Sequence, residues 1–312
     1  MNPVKSETIF GLLVNALNFE DLAAVPEGKQ NLVFSCLLRG EKSIIKVTDS
    51  RHRTRHMLET QLSMLSAVSR YNSDVCAPKP VFDKAYIAEL ELEGIPFYVT
   101  VYPYAPGESA DIRLDRHGYL MGQTLAKLHG SMRLLPTYAF GEINTGISLI
   151  KVKNASQTTT PGVSDKIFEG LERWDRSAPQ LLHGDFSSSN IRIENSAVTI
   201  FDFDNCVYGN AAYELANSLY MVLFDGVEHR RGDLSRYRKF RRTFLAGYAS
   251  SSGEPIQVHL INLFVSYRVL LLSSWLQDPD DAPLFIRQAP SSWLVTLQKF
   301  VNTYFEEIEP AL

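Results

Sequence analysis

The stretch from Leu181 to Asp204, LLHGDFSSSNIRIENSAVTIFDFD, constrains the fold of this chain more than any other segment. Two short β-like runs, at 190–194 and 197–203, flank the turn-forming pair Asn195-Ser196. Short apolar segments that are separated by turn formers are typical of a β-hairpin. The segment therefore predicts a hairpin, preceded by a loop that begins with His-Gly-Asp.

Three oxygen-bearing side chains lie at set positions around this hairpin. Asn190 enters it and Asp202 leaves it, so we expect both at its open end, with Asp185 in the loop just before. Carboxylate and amide oxygens suit a hard cation such as Mg²⁺, which takes phosphate oxygens and keeps waters rather than filling a protein cage. Phosphoryl transfer from ATP needs this set, because metal ions bridge the phosphates and an aspartate accepts the proton of the attacking hydroxyl.

The spacing from Asp185 to Asn190 equals that of the kinase catalytic loop. HGDFSSSN followed by IFDFD resembles the aminoglycoside phosphotransferase and choline kinase family of kinase-like enzymes. The glycine between His183 and Asp185, and DFD in place of DFG, favour that family over ordinary protein kinases. The resemblance implies Asp185 as the catalytic base and Asn190 and Asp202 as Mg²⁺ ligands. Asp204, expected on the same strand face as Asp202, either binds the metal too or fixes the turn.

A strand lysine predicts a phosphate contact in the amino-terminal part. Lys46 lies inside the apolar run SIIKV, where lysine is rare unless it is paired. Glu59 lies beside the apolar stripe of a predicted helix over 53–71. A Lys46–Glu59 pair would direct the ammonium at the α- and β-phosphates, as the strand lysine does in kinases. The alternative is a snorkelling lysine and a solvated glutamate.

The turn PEGKQN contains Gly28, with Asn31 close behind. It is either a nucleotide loop, whose backbone amides approach the phosphates, or a plain hairpin turn. Further on, proline and glycine in YPYAPG end the predicted sheet. The resemblance implies a hinge here that binds adenine through the Pro103 carbonyl and the Ala105 N–H, and a plain interdomain linker is the alternative.

The roles of two acidic features, Glu214 and the loop at 278–281, are left open by the sequence. Members of the resembling family usually have aspartate before Leu-Ala after the hairpin, where it braces the catalytic loop, and this chain has Glu214. The longer side chain leaves that role undecided. The loop at 278–281, Asp-Pro-Asp-Asp, is either only solvated or suited to an acceptor that has an amine.

Composition narrows the class of partner. The 312 residues suffice for one large domain or two joined lobes, and the formal net charge of −4 gives no basic surface for nucleic acid. The odd number of cysteines, three, without a CxxC spacing, indicates reduced thiols. No apolar run approaches bilayer length, and the first residues do not match a signal sequence. We therefore expect a cytoplasmic protein without a nucleic-acid or membrane partner.

Together these observations predict an α+β, bilobal protein-kinase-like fold. The expected parts are a five-stranded nucleotide-binding lobe over 1–102, a hinge over 103–107 and a mostly helical catalytic and substrate-binding lobe over 108–312. The predicted function is transfer of the γ-phosphate of ATP to a hydroxyl of a small molecule, such as an amino alcohol or aminoglycoside. A protein serine/threonine kinase and a nucleotide-binding pseudoenzyme are the alternatives. The acceptor, the choice of ATP or GTP and the oligomeric state stay open.

Overall fold

The computed structural model describes residues 3–17, 19–25, 31–136, 161–172, 180–230 and 234–308. Within these residues the chain forms two compact units. The first consists of the chain up to Gly107 together with Ile193–Phe201, and the second of the remainder. The predicted lobes, 1–102 and 108–312, differ from this division at the hairpin, because residues 193–201 belong to the first unit.

The first unit contains a five-stranded antiparallel sheet with two helices. The strand order is β1-β2-β3-β5-β4. The elements are α1 (Pro3–Leu17), β1 (Glu20–Ala24), β2 (Leu32–Leu38), β3 (Glu41–Asp49), α2 (Arg55–Val68), β4 (Ala88–Leu92) and β5 (Ile95–Pro103). The predicted five-stranded sheet is therefore observed.

Tight turns and alternating burial explain this sheet. The β2–β3 turn has positive φ at both Arg39 (55°) and Gly40 (80°), the backbone that two-residue hairpin turns require. In β3 the buried Ile45 and Val47 alternate with the half-buried Lys46, as expected for a strand with one face on a core. That core also contains residues of α1, so the sheet and this helix pack together.

The remaining elements are mostly helical. They are α3 (Asp115–Arg133), α4 (Pro161–Glu172), β6 (Gln180–Leu182), β7 (Ile191–Glu194), β8 (Ala197–Ile200), β9 (Val207–Gly209), α5 (Ala211–Arg230), α6 (Ser235–Ser252), α7 (Val258–Gln277), α8 (Leu284–Arg287), α9 (Ser291–Thr303) and a π-helical turn (Tyr304–Ile308). β6 pairs with β9, and β7 pairs with β8. A strand-rich first part and a helical second part confirm the predicted α+β class.

The predicted hairpin forms between β7 and β8. Its turn residues Asn195 and Ser196 both have positive φ, 49° and 73°, as in a type I′ turn. The end of β8 is held within the first unit, because the Ile200 N–H donates to the Asp74 carbonyl at 2.7 Å and the Cys76 N–H donates to the Ile200 carbonyl at 2.9 Å. These bonds fix the point from which the chain enters the next turn.

Among the described residues, α7 is one helix that is long and apolar enough by composition to cross a membrane, with a mean hydropathy of 1.3. The expectation that no segment reaches this length was therefore wrong. More than half of its apolar window, 56%, is buried inside the protein. Its contacts with α5 are those of a core helix packed against other helices.

Candidate active site

The backbone of the loop from His183 to Asn190 is braced by Glu214 at the start of α5. One carboxylate oxygen of Glu214 accepts the His183 N–H at 3.1 Å, and the other accepts the Gly184 N–H at 2.5 Å. Farther along α5, the Ser218 hydroxyl donates to the Phe186 carbonyl at 2.7 Å. The bracing role that the sequence left undecided for Glu214 is therefore present, and the longer side chain bonds two backbone amides.

Glu214 is itself buried, and hydrogen bonds offset the cost of burying its charge. It is 0% exposed, and its carboxylate lies 2.8 Å from Nε2 of His129, whose Nδ1 lies 2.8 Å from the Tyr248 hydroxyl. Burial alone would raise the pKa of Glu214, but the hydrogen bond and charge of His129, with the His183 backbone, outweigh it and lower the pKa. Glu214 therefore stays ionised and accepts hydrogen bonds at neutral pH.

Only glycine fits at position 184. Its φ is +80°, and a Cβ there would lie 1.8 Å from the backbone carbonyl oxygen of Asn205. The backbones of this loop and of the turn after β8 can approach closely because Gly184 has no side chain. The glycine of the HGD motif thus brings Asp185 near the chain that contains Asp202.

Two aromatic contacts hold His183 in place. Its ring centroid lies 4.3 Å from that of Phe203 and 6.1 Å from that of Phe186, the latter edge to face. Its Nδ1 accepts the Asp185 N–H at 3.3 Å. These contacts hold the ring of His183, two residues before Asp185, against Phe203, the residue after Asp202.

The structure brings Asp185 and Asn190 into direct contact. Nδ2 of Asn190 donates to the backbone carbonyl of Asp185 at 2.8 Å and to its carboxylate Oδ2 at 3.1 Å. Burial raises the pKa of Asp185, and the nearby Asp202 raises it further. His183, Arg268 and the Asn190 hydrogen bond oppose this rise without cancelling it. Asp185 therefore contacts Asn190 directly, and Asp202 is near enough to influence the pKa of Asp185.

Asp202 occupies a strained backbone position. Its φ is 65° and its ψ 59°, in the left-handed region that residues other than glycine rarely adopt. Such strain costs of order 1–3 kcal/mol and is concentrated at functional sites. The chain then enters a 3₁₀ turn, Phe203–Asn205, so the expected strand face shared by Asp202 and Asp204 was wrong. A metal role for Asp204 stays a prediction without that support.

The donor set fits a cation that is ligated only in part by protein. Asn190 directs Nδ2 at Asp185, and its Oδ1 accepts only a long 3.5 Å bond from Ser189, so a lone pair of Oδ1 can bind a metal. The carboxylate of Asp202 is exposed. In the described part of the chain, no three His, Cys, Asp or Glu side chains form a metal-binding group. Mg²⁺ suits such a site, because it keeps waters and takes phosphate oxygens.

Helix α2 does not place Glu59 as the predicted Lys46 pair requires. Glu59 lies on the exposed face of the helix, and its Oε1 accepts a hydrogen bond from Nε of Arg55 at 3.0 Å. The polar residue on the buried face is Gln61, whose Oε1 accepts from Nη1 of Arg53 at 2.6 Å. The Lys46–Glu59 pair thus stays a prediction that the orientation of the helix disfavours.

The remaining nucleotide predictions have mixed outcomes. Gly28 lies outside the described residues, whereas the Asn31 side chain accepts a hydrogen bond from Thr48 at 2.9 Å. The Pro103 carbonyl, at the end of β5, lies 3.5 Å from the Cys76 thiol, and Ala105 follows in irregular chain. A carbonyl has two lone pairs, so the thiol contact leaves the proposed adenine contact of Pro103 intact.

A cluster of polar side chains on α5 and α7 was not predicted from the sequence. Arg268 acts electrostatically on Asp185, and Nη1 of Arg268 donates to the Tyr213 hydroxyl at 3.4 Å. Asn217, one helical turn after Tyr213, is 1% exposed. A single arginine in the otherwise uncharged, mostly apolar run FVSYRVLLL was the available signal, because charged residues are rare in core helices.

Comparisons with known proteins place the chain in a family. The model of the phosphotransferase enzyme family (APH) matches residues 21–253. The uncharacterized protein sll1119 of Synechocystis sp. is 25% identical over 224 residues, which span 66% of this chain and 59% of that protein. Amicoumacin kinase of Bacillus subtilis is 24% identical over 257 residues, which span 78% of this chain and 76% of that protein.

Solved structures share the fold. Amicoumacin kinase hAmiN, in complex with AMP-PNP, Ca²⁺ and Ami, aligns with a TM-score of 0.77 and 18% identity over 99% of this chain and 96% of its own. A microcompartment-associated aminopropanol kinase aligns with a TM-score of 0.70 and 19% identity over 96% of this chain and 98% of its own. The predicted kinase-like fold is confirmed. The matched family is one of phosphotransferases, in agreement with the predicted class of enzyme. Because the family match covers well over half of the chain, this protein belongs to the phosphotransferase enzyme family (APH).

Proposed function

We propose that this protein transfers the γ-phosphate of ATP to a hydroxyl group of a small molecule. The observation that carries the proposal is the contact between Asp185 and Asn190 in a loop braced by the buried Glu214. This contact joins a candidate base and a candidate metal ligand at the spacing that phosphoryl transfer uses.

Asp185 is the proposed general base. Asn190 donates to its Oδ2, which leaves Oδ1 to accept the proton of the acceptor hydroxyl. The backbone bonds to Glu214 hold the preceding residues still, so the carboxylate needs little reorganisation when the acceptor binds. A positioned base of this kind contributes about 10²–10⁴-fold to the rate.

The proposed cofactors are ATP and Mg²⁺. When bound, Mg²⁺·ATP supplies the phosphoryl group and the positive charge that offsets the phosphates. In the second unit, Asn190 and Asp202 would hold the metal. In the first unit, Lys46 would contact the phosphates, the Pro103 carbonyl and the Ala105 N–H would bind adenine, and Gly28, Asn31 and Glu59 stay predicted contributors.

The acceptor is proposed to be a small molecule rather than a protein. Support comes from the similarity to amicoumacin kinase and aminopropanol kinase, whose names specify small acceptors. The loop at 278–281 exposes carboxylates of Asp278 and Asp280, which favour an acceptor that has an amine. The cytoplasmic location expected from the cysteines stays a prediction.

A coupled assay of ADP release, run with a panel of small hydroxyl compounds and with a generic protein substrate in parallel, tests this function. We expect ATP-dependent turnover with at least one amine-bearing alcohol and none with the protein. Phosphorylation of the protein substrate alone would favour the protein-kinase alternative. ATP binding without turnover of any acceptor would favour the pseudoenzyme.

A further inference from the structure

Arg268 is a largely enclosed cation that forms no ion pair with a carboxylate within 4.0 Å among the described residues. It is enclosed by protein, although part of its side chain is accessible to solvent. Its Nη1 donates to the Tyr213 hydroxyl at a long 3.4 Å, and its guanidinium lies 5.2 Å from the centroid of the Tyr220 ring. Its Nε is buried and has no hydrogen-bond partner in the described part of the chain. Buried charges in proteins are normally paired, so this arginine has unused donors.

A second unsatisfied group lies beside it. Tyr213, Asn217 and Tyr220 are spaced four and three residues apart along α5, so they share the face that contacts Arg268 on α7. Asn217 is 1% exposed, and both its Nδ2 and its Oδ1 lack a partner among the described residues. A buried amide without partners is costly and requires an explanation, such as a bound ligand.

This cluster borders the proposed base. Ser218, next to Asn217 on α5, bonds to the carbonyl of Phe186, the residue that follows Asp185. Tyr213, which contacts Arg268, directly precedes Glu214, whose carboxylate accepts the N–H groups of His183 and Gly184 just before Asp185. A hydroxyl presented to Asp185 would therefore place the adjoining part of the acceptor close to Arg268.

We propose that Arg268, Tyr213 and Asn217 form an acceptor subsite that binds a carboxylate or carbonyl oxygen next to the hydroxyl that is phosphorylated. The planar donors of arginine match a carboxylate, and the tyrosine hydroxyl and asparagine amide supply further donors. The proposal rests on the proposed function and narrows its acceptor class. The acceptor has an oxygen group that accepts hydrogen bonds close to its hydroxyl, in addition to the amine that the acidic loop favours.

A matched pair of compounds tests the subsite. Homoserine and 3-aminopropan-1-ol share an amine and a primary alcohol, and they differ in the carboxylate. Calorimetric binding to the full chain, in the presence of a non-hydrolysable ATP analogue, measures affinity independently of turnover. We expect wild type to bind the carboxylate-bearing member roughly tenfold or more tightly, the gain of a charge-assisted hydrogen bond.

Two variants sharpen the measurement. Arg268→Met should remove the preference for the carboxylate, whereas Arg268→Lys should keep part of it, because the charge remains and the planar fork is lost. Where an acceptor is turned over, the substitution should raise its KM more than it lowers kcat. Arg241→Lys is the matched control, because Arg241 is also an arginine with a buried, unpartnered Nε and donates instead to Asn262 at 2.9 Å.

The proposal is overturned if the carboxylate-bearing compound binds wild type no better than its partner, or if Arg268→Met keeps the preference. It is also overturned if Arg268→Met reduces acceptor-independent ATP hydrolysis as strongly as acceptor turnover. Arg268 would then bind the phosphate that is transferred rather than the acceptor. Failure of the proposed function has a different signature, which is the absence of ADP release with any acceptor.

Discussion

The loop from His183 to Asn190 is held on several sides by buried polar groups, whereas helix α2 exposes its charged side chains to solvent. In the loop, Glu214 is 0% exposed and bonds two backbone amides. On α2, the side chains of Arg55 and Glu59 form an ion pair while they are 49% and 52% exposed. The same kind of residue, a glutamate that accepts hydrogen bonds, therefore has different consequences in the two regions.

The difference is one of solvent screening and desolvation. An exposed i,i+4 pair contributes a few tenths of a kcal/mol, because water competes for both charges. A buried carboxylate that accepts several hydrogen bonds is costly to remove, because its donors are left without partners. A buried group can therefore hold a catalytic loop in one geometry, and an exposed pair cannot.

The largest expected effect belongs to Asp185, which the braced loop presents. Asp185→Asn should lower acceptor-dependent ADP release by about 10²–10⁴-fold, because the amide cannot accept the proton of the hydroxyl. Its fold should persist, because an asparagine oxygen can still accept from Asn190. Asp115→Asn, at an exposed carboxylate that pairs with Lys239 at 3.1 Å, is the matched control. Undiminished turnover in Asp185→Asn would exclude this residue as the base.

The next effect concerns the brace itself. Glu214→Ala should lower the free energy of unfolding by about 3–5 kcal/mol, because it leaves buried donors of the loop backbone and His129 unpaired. Chemical denaturation measures this change. The matched control is Glu254→Ala, at an exposed glutamate 3.7 Å from Arg133, for which a loss below about 1 kcal/mol is expected. Equal losses in the two variants would refute the comparison.

The contrast between local and long-range contacts explains which parts of the site could be predicted from the sequence. Asp185, Asn190 and Asp202 lie within one loop and hairpin, so local turn chemistry was sufficient to bring them together. Glu214, which braces the loop, is bonded to His129, 85 positions earlier in the chain. Such contacts depend on how helices pack rather than on any local pattern. The placement of Arg268 against α5 depends on the same packing, although a lone arginine in a mostly apolar run was a local signal.

For helix α2, the prediction from the sequence failed for a different reason. Glu59 and Gln61 both flank the apolar stripe of Leu58, Leu62 and Leu65, and the periodicity places either one at the border of the buried face. The rotation of the helix, which packing decides, puts Gln61 inside and Glu59 outside. Similarly, the left-handed backbone of Asp202 ended the strand earlier than its apolar residues suggested.

A smaller effect is expected from the acid titration of Glu214. Its folded pKa lies below the ordinary value of 4.5, so its ionised form contributes stability that is full above this pH and is lost as pH falls through the folded pKa. Glu214→Gln cannot titrate at this position. The difference in unfolding free energy between wild type and Glu214→Gln should therefore shrink as pH falls from 7 to below 4.5. A difference that grows on acidification would contradict the assigned direction.

The smallest effect is expected at Glu59. Glu59→Gln should change the free energy of unfolding by about 0.5 kcal/mol or less and leave the KM for ATP unchanged, because it removes only an exposed pair with Arg55. Gln61→Leu is the variant to compare with it, because it removes the buried hydrogen-bond acceptor of Arg53 on the opposite face of the helix. Gln61→Leu should therefore lower the free energy of unfolding more than Glu59→Gln does. If Glu59→Gln instead raised the KM for ATP several-fold, the helix would have to turn Glu59 towards the sheet in the working enzyme. The Lys46–Glu59 pair would then be supported, and the contrast between the two regions would not extend to Glu59.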